Sequence, residues 1–506
     1  MNKASSVQSI WIGSVLVLFA AVFGIRVHGD YGVPWDEPHQ RRLGAATYDY
    51  IRGENDVYLS LVNREYGAVY ELALHMAERT FAHDELSAYR LRHLANHLIF
   101  IAGAAFLYAL VLNSSGSVGF AVLAFLLMML HPRLYADSFY NTKDIPFMAA
   151  QPVCYWLFFR VLHEPRWPGF LMLGAAVGTQ MALRIMGALP AAVIAMLIAI
   201  MAWRGPSSAR FARGLLIFAL MVPLTTYLAW PYLWTNPIEN FHTAFVVMSK
   251  YPWGGTVLFA GQLIPAKLEP WYYSLTWFII TLPPMAAIVA VASIVAVGRT
   301  CRSWMREFPS PRTALLLLAM LGLSAPFVSV IMLHSVLYDG WRHLFFVYPA
   351  FVLFITVTCA ELAGCHIILI LGFIATAWSG LFLYSAHPHQ NVYFNRLAGP
   401  SDPQFLRTHW DLDYWGLSFK QALRYIVSHD TSPVIRICAS NVALGNNTYL
   451  LSPADRARLQ FVVFEDADYF VTNYRDHPDD YKLPATKLVF ERIVLGSRIV
   501  AVYRLR

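Results

Sequence analysis

A succession of apolar runs, each close to the length needed to cross roughly 30 Å of hydrocarbon, constrains this chain more than any other feature. The runs lie near residues 10–26, 94–112, 118–131, 146–162, 170–184, 188–203, 214–230, 273–297, 313–333, 344–359 and 366–385, which predicts an α-helical polytopic membrane protein with about eleven transmembrane helices. With 57% hydrophobic and 14% charged residues over 506 positions, the composition excludes an ordinary soluble domain. The first run, IWIGSVLVLFAAVFGIR, shows no clear small-residue cleavage site and reads as a retained signal anchor.

The connections test this topology independently. Arg160 and Arg166, then Arg204, Arg210 and Arg213, then Arg299, Arg302, Arg306 and Arg312 collect in alternate short connections, which marks the cytoplasmic side and puts the N-terminus there. Segments 27–92 and 231–271, and the chain beyond residue 386, then face outward, in a cell membrane of the plasma or inner type. Topology also accounts for the net charge of +7, so membrane lipids and not nucleic acid are the expected surroundings. Cys154, Cys301, Cys359, Cys365 and Cys438 show no CxxC or Cys/His spacing, so neither a zinc site nor a disulfide framework is expected.

Two units are predicted: a membrane domain over 1–386, with a long outer loop at 27–92, and a small extracytoplasmic α/β domain over 387–506. Within the loop, YGAVYELALHMAERTF (66–81) has the spacing of a surface helix. The tail offers a helix at SFKQALRYIV (418–427), strands at VIRICAS (434–440) and FVVFEDADYFVTNY (461–474), and a hairpin over 487–506 turning at Gly496-Ser497. The sequence shows no internal repeat, which weighs against an inverted-repeat transporter.

Polar residues concentrate at the outward face. VPWDEPHQ (33–40) places Asp36 and Glu37 just past the first span. HPRLYADSFYNTKDIP (131–146) packs His131, Arg133, Asp137, Asn141, Lys143 and Asp144 together, HSVLYDGWRHLFF (334–346) adds His334, Asp339, Arg342 and His343, and Arg184 closes the fifth span. Carboxylates alone would suggest a cation site, and cations alone an anion path or a lipid head-group site. Together they suit group transfer from a lipid phosphate, with an acid or base for an acceptor hydroxyl and cations for the leaving anion. Taken singly, each has a plainer explanation: a juxtamembrane Asp-Glu pair is more often a solvated loop feature, and an arginine at a span end can snorkel. The aromatics of WPYLWTNPIENF (230–241) read as an interfacial belt before a sugar-stacking surface.

VPWDEPHQ, HPRLYADSFYNTKDIPF, DGWRHLFFVYP and DLDYWGLSFKQAL together resemble the GT-C superfamily of membrane glycosyltransferases, specifically the dolichyl-phosphate-mannose protein mannosyltransferase-like family (glycosyltransferase family 39). The resemblance implies inverting transfer of a mannose-like or related hexose from a polyprenyl-phosphate donor to an acceptor hydroxyl on the extracytoplasmic side. Asp36 matches the first-loop acid that acts as general base, and Glu37 would assist it or position substrate. A second-loop acid falls to Asp137 or Asp144, and both stay candidates. Lys143, Arg184 and Arg342 are candidates for holding the lipid phosphate, with His131 and His343 beside them. No P-loop or Rossmann glycine pattern suggests a nucleotide sugar, and no cofactor is expected. Some relatives use a divalent cation, but the first loop holds no DxD, so the expected metal set is none. Asp411-Leu412-Asp413 reads as part of a segment capping the site. The long insertion that protein mannosyltransferases carry between later spans is missing, which leaves the acceptor open among a glycan, a lipid and a protein. The alternative is a multispanning transporter or lipid-handling protein without catalysis. It would need charges near the bilayer midplane, whereas these cluster at one face.

Overall fold

The computed structural model describes residues 3–205, 207–362, 365–400, 402, 404–484 and 487–506. The apolar helix α1 (Lys3–Val27) stands at the edge of the molecule with Trp11, Leu18 and Phe19 exposed, as suits a helix that faces lipid. Two helices follow before the bundle resumes: α2 (Glu37–Ile51), within the predicted loop, and α3 (Val69–Phe81), where a surface helix was expected. Then α4 (Glu85–Ser115) starts at a capping box in which the Ser87 amide donates to Asp84 Oδ1 at 2.7 Å.

The chain continues through α5 (Val118–Met129), α6 (Pro132–Tyr140), α7 (Asp144–His163), α8 (Trp167–Leu183), α9 (Ala188–Arg204), α10 (Ser208–Ala229) and α11 (Pro237–Ser249). A hairpin of β1 (Thr256–Phe259) and β2 (Gln262–Pro265) precedes α12 (Tyr273–Ile280), α13 (Pro284–Glu307), α14 (Pro311–Leu333), α15 (Val347–Cys359) and α16 (Cys365–Ser385). Among the described residues, eight helices are long and apolar enough to cross a membrane, or nine if α5 and α6, which meet at 62°, form one broken span. The chain is an integral membrane protein, but the count by length is below the eleven expected, because three runs make helices too short to be counted by themselves. Run 118–131 becomes the 12-residue α5, run 170–184 the 17-residue α8, and run 344–359 the 13-residue α15, almost wholly buried among other helices. Run 273–297 keeps one span, but shifted to α13: Pro283 is extended and Pro284 opens the helix, because proline disfavours the α region in the residue before it.

Helices α8 and α10 meet through Gly174 and Gly178, one turn apart. A Cβ on Gly178 would lie 2.5 Å from the Val222 carbonyl oxygen, and one on Gly174 2.6 Å from Met221 Cβ. Thr226 Oγ1 donates to the Gly178 carbonyl at 3.1 Å. Between helices in lipid, where hydrophobic burial gives little drive, such close backbone approach supplies the packing.

The C-terminal region comprises α17 (Phe405–His409), α18 (Phe419–His429), β3 (Ile435–Ala439), α19 (Ala443–Asn447), β4 (Leu459–Phe461), β5 (Tyr469–Thr472), β6 (Leu488–Val494) and β7 (Ser497–Arg504). The strands form one sheet in the order β4-β3-β5-β7-β6, with β3 parallel to both neighbours and the rest antiparallel. Of the single strand expected over 461–474 only Tyr469–Thr472 forms β5, and Phe461 ends β4 on the opposite side of β3. The hairpin turns at Leu495-Gly496, both at positive φ (51° and 78°), one residue earlier than expected. Phe419, Leu423 and Ile426 of α18 bury against Ile437, Val471 and Val502 of the sheet.

Replacing Gly178 with valine forces α8 and α10 apart. Overpacking of this kind costs about 1–3 kcal/mol, and the expected outcome is a lowered unfolding temperature of the purified protein in detergent.

Candidate functional site

Asp36 occupies the N-cap of α2, with Pro38 in the first turn, a common arrangement for starting a helix. Its carboxylate makes no capping bond. Instead Oδ2 accepts from Lys143 Nζ at 2.6 Å and lies 3.6 Å from Arg342 Nη2. The Asp36 side chain is 32% exposed, whereas Lys143 and Arg342 are 10% and 2% exposed, so the carboxylate closes the open side of two largely enclosed cations.

The stretch predicted as a polar loop at 131–146 is a buried helix and turn. One amide, Asn141 Nδ2, donates to Asp137 Oδ1 at 3.2 Å and to Asp144 Oδ2 at 2.9 Å, while Asn141 Oδ1 accepts from the Asp144 backbone N–H at 3.0 Å. The two acids that the sequence leaves undecided are thus bridged, yet their surroundings differ. Asp144, in the first turn of α7 where the helix dipole favours an anion, pairs with Arg184 and lies 3.4 Å from Arg342 Nη1. Asp137 Oδ1 also accepts from Trp415 Nε1 at 3.0 Å, and its other oxygen is buried without a hydrogen-bond partner among the described residues.

Arg342 follows a tight turn in which Asp339 and Gly340 both take positive φ, 60° and 75°. Its guanidinium carbon sits 4.8 Å from the centres of both the Tyr338 and Trp415 rings, and Nη2 lies 3.2 Å from Asp339 Oδ2. Arg475, from the turn after β5, reaches Asp339 Oδ1 at 2.7 Å. Lys143, Arg184, Arg342 and Arg475 thereby interleave with Asp36, Asp144 and Asp339, four cations against three carboxylates. Burial alone would raise the Asp36 carboxyl, but Lys143 and Arg342 outweigh it and hold the group well below the usual carboxylate range. Burial works against the Arg342 charge, and Asp339 chiefly, with Asp36, keeps it on. Burial, reinforced by Arg342, Arg184 and Lys143, pushes His343 far down and keeps its ring neutral.

An apolar cleft of about 910 Å³, counting its open mouth, runs up to this cluster. Met186, Leu189, Phe245, Met248, Val330 and Leu333 line its walls, and Arg184, His343 and Tyr66 stand at its polar end. The Tyr66 ring faces both Lys143 and Arg184, at 5.2 and 5.7 Å.

Residues 83–230 match the family model described as dolichyl-phosphate-mannose-protein mannosyltransferase. ArnT from Cupriavidus metallidurans, solved in the apo state, aligns with 98% of this chain and 98% of its own at a TM-score of 0.51 and 13% sequence identity. The chain has a GT-C fold. A structure of the same protein bound to undecaprenyl phosphate aligns over 99% of this chain and 98% of that one, at a TM-score of 0.48 and 13% identity. No curated protein matches the sequence.

Within this fold, Asp36, Asp144, Lys143, Arg184 and Arg342 come together, His343 lies against them at the cleft, and Asp137 joins through Asn141. Two of the sequence-based candidates do not join them. Glu37 points away from Asp36 into a separate buried network, where Arg92 meets Glu37, Glu71 and Glu78 at 3.3, 2.6 and 3.0 Å and His93 Nε2 lies 3.2 Å from the second Glu37 oxygen. His131 is buried as the N-cap of α6: Nδ1 accepts from the Leu134 amide, and its ring packs edge-on against Tyr348. Asp411 accepts from the Leu258 amide, and Asp413 from Ser418 and Asn391. Burial pushes these two carboxyls up to about 7 and about 6. They shape the segment whose Trp415 covers Arg342, and among the described residues no three His, Cys, Asp or Glu side chains form a group fit to hold a metal. Sequence reasoning placed Asp339 in its polar stretch without giving it a role, and missed Tyr66, Trp415 and Arg475. Trp415 lies inside a motif already singled out, whereas nothing around Arg475 marks it.

Arg92→Met leaves Glu71 without its cation and takes a partner from Glu37 and Glu78, which keep His93 and Arg41, a change worth about 3–5 kcal/mol. The expected outcome is loss of monodisperse protein on size-exclusion chromatography, with Glu37→Gln much milder.

Proposed function

We propose that the chain is an inverting glycosyltransferase that moves a sugar from a polyprenyl-phosphate donor to an acceptor hydroxyl at the extracytoplasmic face of a cell membrane. The observation that carries this reading is the Asp36 carboxylate, partly open to solvent, set on Lys143 and beside Arg342 in the charge cluster whose Arg184 lines the polar end of an apolar cleft. The description of the matching family, which names a dolichyl-phosphate sugar, supports it. The sugar is a mannose-like or related hexose, and the acceptor a glycan, a lipid or a protein.

The donor's isoprenoid chain lies in the cleft, and its phosphate docks on Lys143, Arg184 and Arg342. Asp36 and the phosphate compete for the same cations. In the resting site Asp36 is strongly paired and therefore a weak base. When phosphate draws Lys143 and Arg342 away, the carboxyl rises towards its ordinary value of about 3.9 and gains basicity where it is needed. Asp36 then takes the proton from the acceptor hydroxyl as that oxygen attacks the anomeric carbon. The bond from that carbon to the phosphate oxygen breaks, and the polyprenyl phosphate leaves as an anion held by the cations, with inversion at carbon. Asp144 orients Arg184 and Arg342, Asp137 acts through Asn141, and Glu37 fixes the start of α2. His343, neutral at the end of the cleft, offers a hydrogen bond without adding charge.

With radiolabelled polyprenyl-phosphate sugars and the purified protein in lipid vesicles, Asp36→Asn is expected to lower release of free carrier phosphate about 10²–10⁴-fold, the usual worth of a general base. Release at the wild-type rate, or no use of any donor by folded wild type, overturns the reading. The latter outcome favours a lipid-handling protein.

The pH dependence has a definite sign. A depressed carboxyl stays ionised until the pH falls through its lowered value, so wild-type kcat/KM, which reports the free enzyme, shows no Asp36 limb above about pH 4. Lys143→Gln lets the carboxyl rise, and activity then falls on acidification at higher pH than in wild type.

A further inference from the structure

Between α1 and Asp36 the chain runs without regular structure over residues 30–35, and the C-terminal region grips it. The buried Asn447 side chain holds both backbone groups of Val33: Oδ1 accepts from its N–H at 3.0 Å and Nδ2 donates to its carbonyl at 3.1 Å. The same Nδ2 donates to the carbonyls of Gly416 and Ala443, which ties Asn447 into its own region. Asn446 Nδ2 donates to the Pro34 carbonyl at 3.2 Å. Lys420 Nζ, also buried, donates to the carbonyls of Gly29 at 2.6 Å and Tyr31 at 3.0 Å. Contact is so close at Gly32 that a Cβ would lie 2.6 Å from both Asn447 Oδ1 and the Leu417 carbonyl oxygen.

A second grip acts on Arg342. Arg475 lies over the Trp35 ring, 5.5 Å from its centre, and pairs with Asp339 at 2.7 Å. Trp35 immediately precedes Asp36, and Asp339 lies three residues before Arg342, which it also pairs with. Asp339 is therefore shared between two guanidiniums. Without Arg475, its whole charge would draw Arg342 away from Asp36.

We propose that the C-terminal region sets the separation of Asp36 and Arg342: Asn447 and Lys420 fix the backbone leading to Asp36, while Arg475 divides Asp339 between itself and Arg342. These are positioning residues, since none of them approaches the reacting atoms. The proposal rests on the glycosyl-transfer reading above and extends it by giving this region a task in the reaction.

The test uses the full chain in lipid vesicles, with Asn447→Ala, Arg475→Met and Arg475→Lys. Hydrogen–deuterium exchange over residues 28–40 reads the grip directly, and kcat, donor KM and the pH profile read its effect on Asp36. Asn447→Ala is expected to raise exchange over that segment while leaving the bundle unchanged. Both Asn447→Ala and Arg475→Met are expected to lower kcat roughly 10- to 100-fold, the scale of an ångström-sized misplacement, with donor KM little changed. Arg475→Met also moves the acid limb of kcat/KM to higher pH, and Arg475→Lys restores much of the wild-type profile. Wild-type kcat and pH profile in folded Arg475→Met, or unaltered exchange in Asn447→Ala, overturns the proposal. If wild type uses no donor while Asn447→Ala still loosens residues 28–40, the catalytic reading fails and the grip itself stands.

Discussion

Two like-charged groups cannot hold the same cation at full strength, and the candidate site is built around that limit. Lys143 and Arg342 are nearly enclosed, and the Asp36 carboxylate lies at their exposed side. Enclosed cations are costly without a counter-ion, so some anion must accompany them whether or not a substrate is bound. In the resting structure Asp36 is that anion for Lys143, and it shares Arg342 with Asp339 and Asp144. In the proposed reaction a phosphate replaces it, and the exchange that satisfies the cations also frees the base. Donor binding and base strength are then two readings of one electrostatic equilibrium.

The molecule keeps its other buried charges apart from this equilibrium. Around Arg92 the carboxylates of Glu37, Glu71 and Glu78 are buried and unavailable to solvent, so the network has no place for a ligand. Its part is mechanical. Glu37 adjoins Asp36, and Glu71 accepts from the Thr142 hydroxyl, next to Lys143. One guanidinium therefore anchors the chain beside both members of the Asp36–Lys143 pair. The C-terminal region performs the same service for Asp36 and Arg342, through side-chain bonds to backbone at Val33 and an ion pair at Asp339.

The membrane character of the chain and the meeting of its polar stretches were legible in the sequence because both rest on composition and local pattern. A run of apolar residues declares itself, and Asp36, Lys143 and Arg342 each sit in a stretch too polar for a simple turn. Span boundaries were less legible. The break at Pro283 interrupts a run that hydropathy alone carries straight through, and α5 bends into α6 where the sequence reads as a loop. The separation of Glu37 from Asp36 was not legible because adjacent carboxylates look equivalent on paper, whereas residues at the start of a helix point about 100° apart, one towards Lys143 and the other towards Arg92. Arg475 could not be found at all, since its partner lies 136 positions away and no spacing rule connects them. The structure adds a reason to single out Asp36 that the sequence did not show: an N-cap aspartate that leaves its helix uncapped breaks a local rule, and such breaks gather at functional sites.

The central claim is that Asp36 and a lipid phosphate compete for Lys143 and Arg342. It is tested most directly by measuring the affinity of a polyprenyl phosphate without sugar for wild type and for Asp36→Asn in the same vesicles. Removing the competing carboxylate is expected to tighten binding severalfold, by an amount that shrinks as salt screens the charges. Equal or weaker binding by folded Asp36→Asn would contradict the claim, because the phosphate would then sit somewhere Asp36 does not.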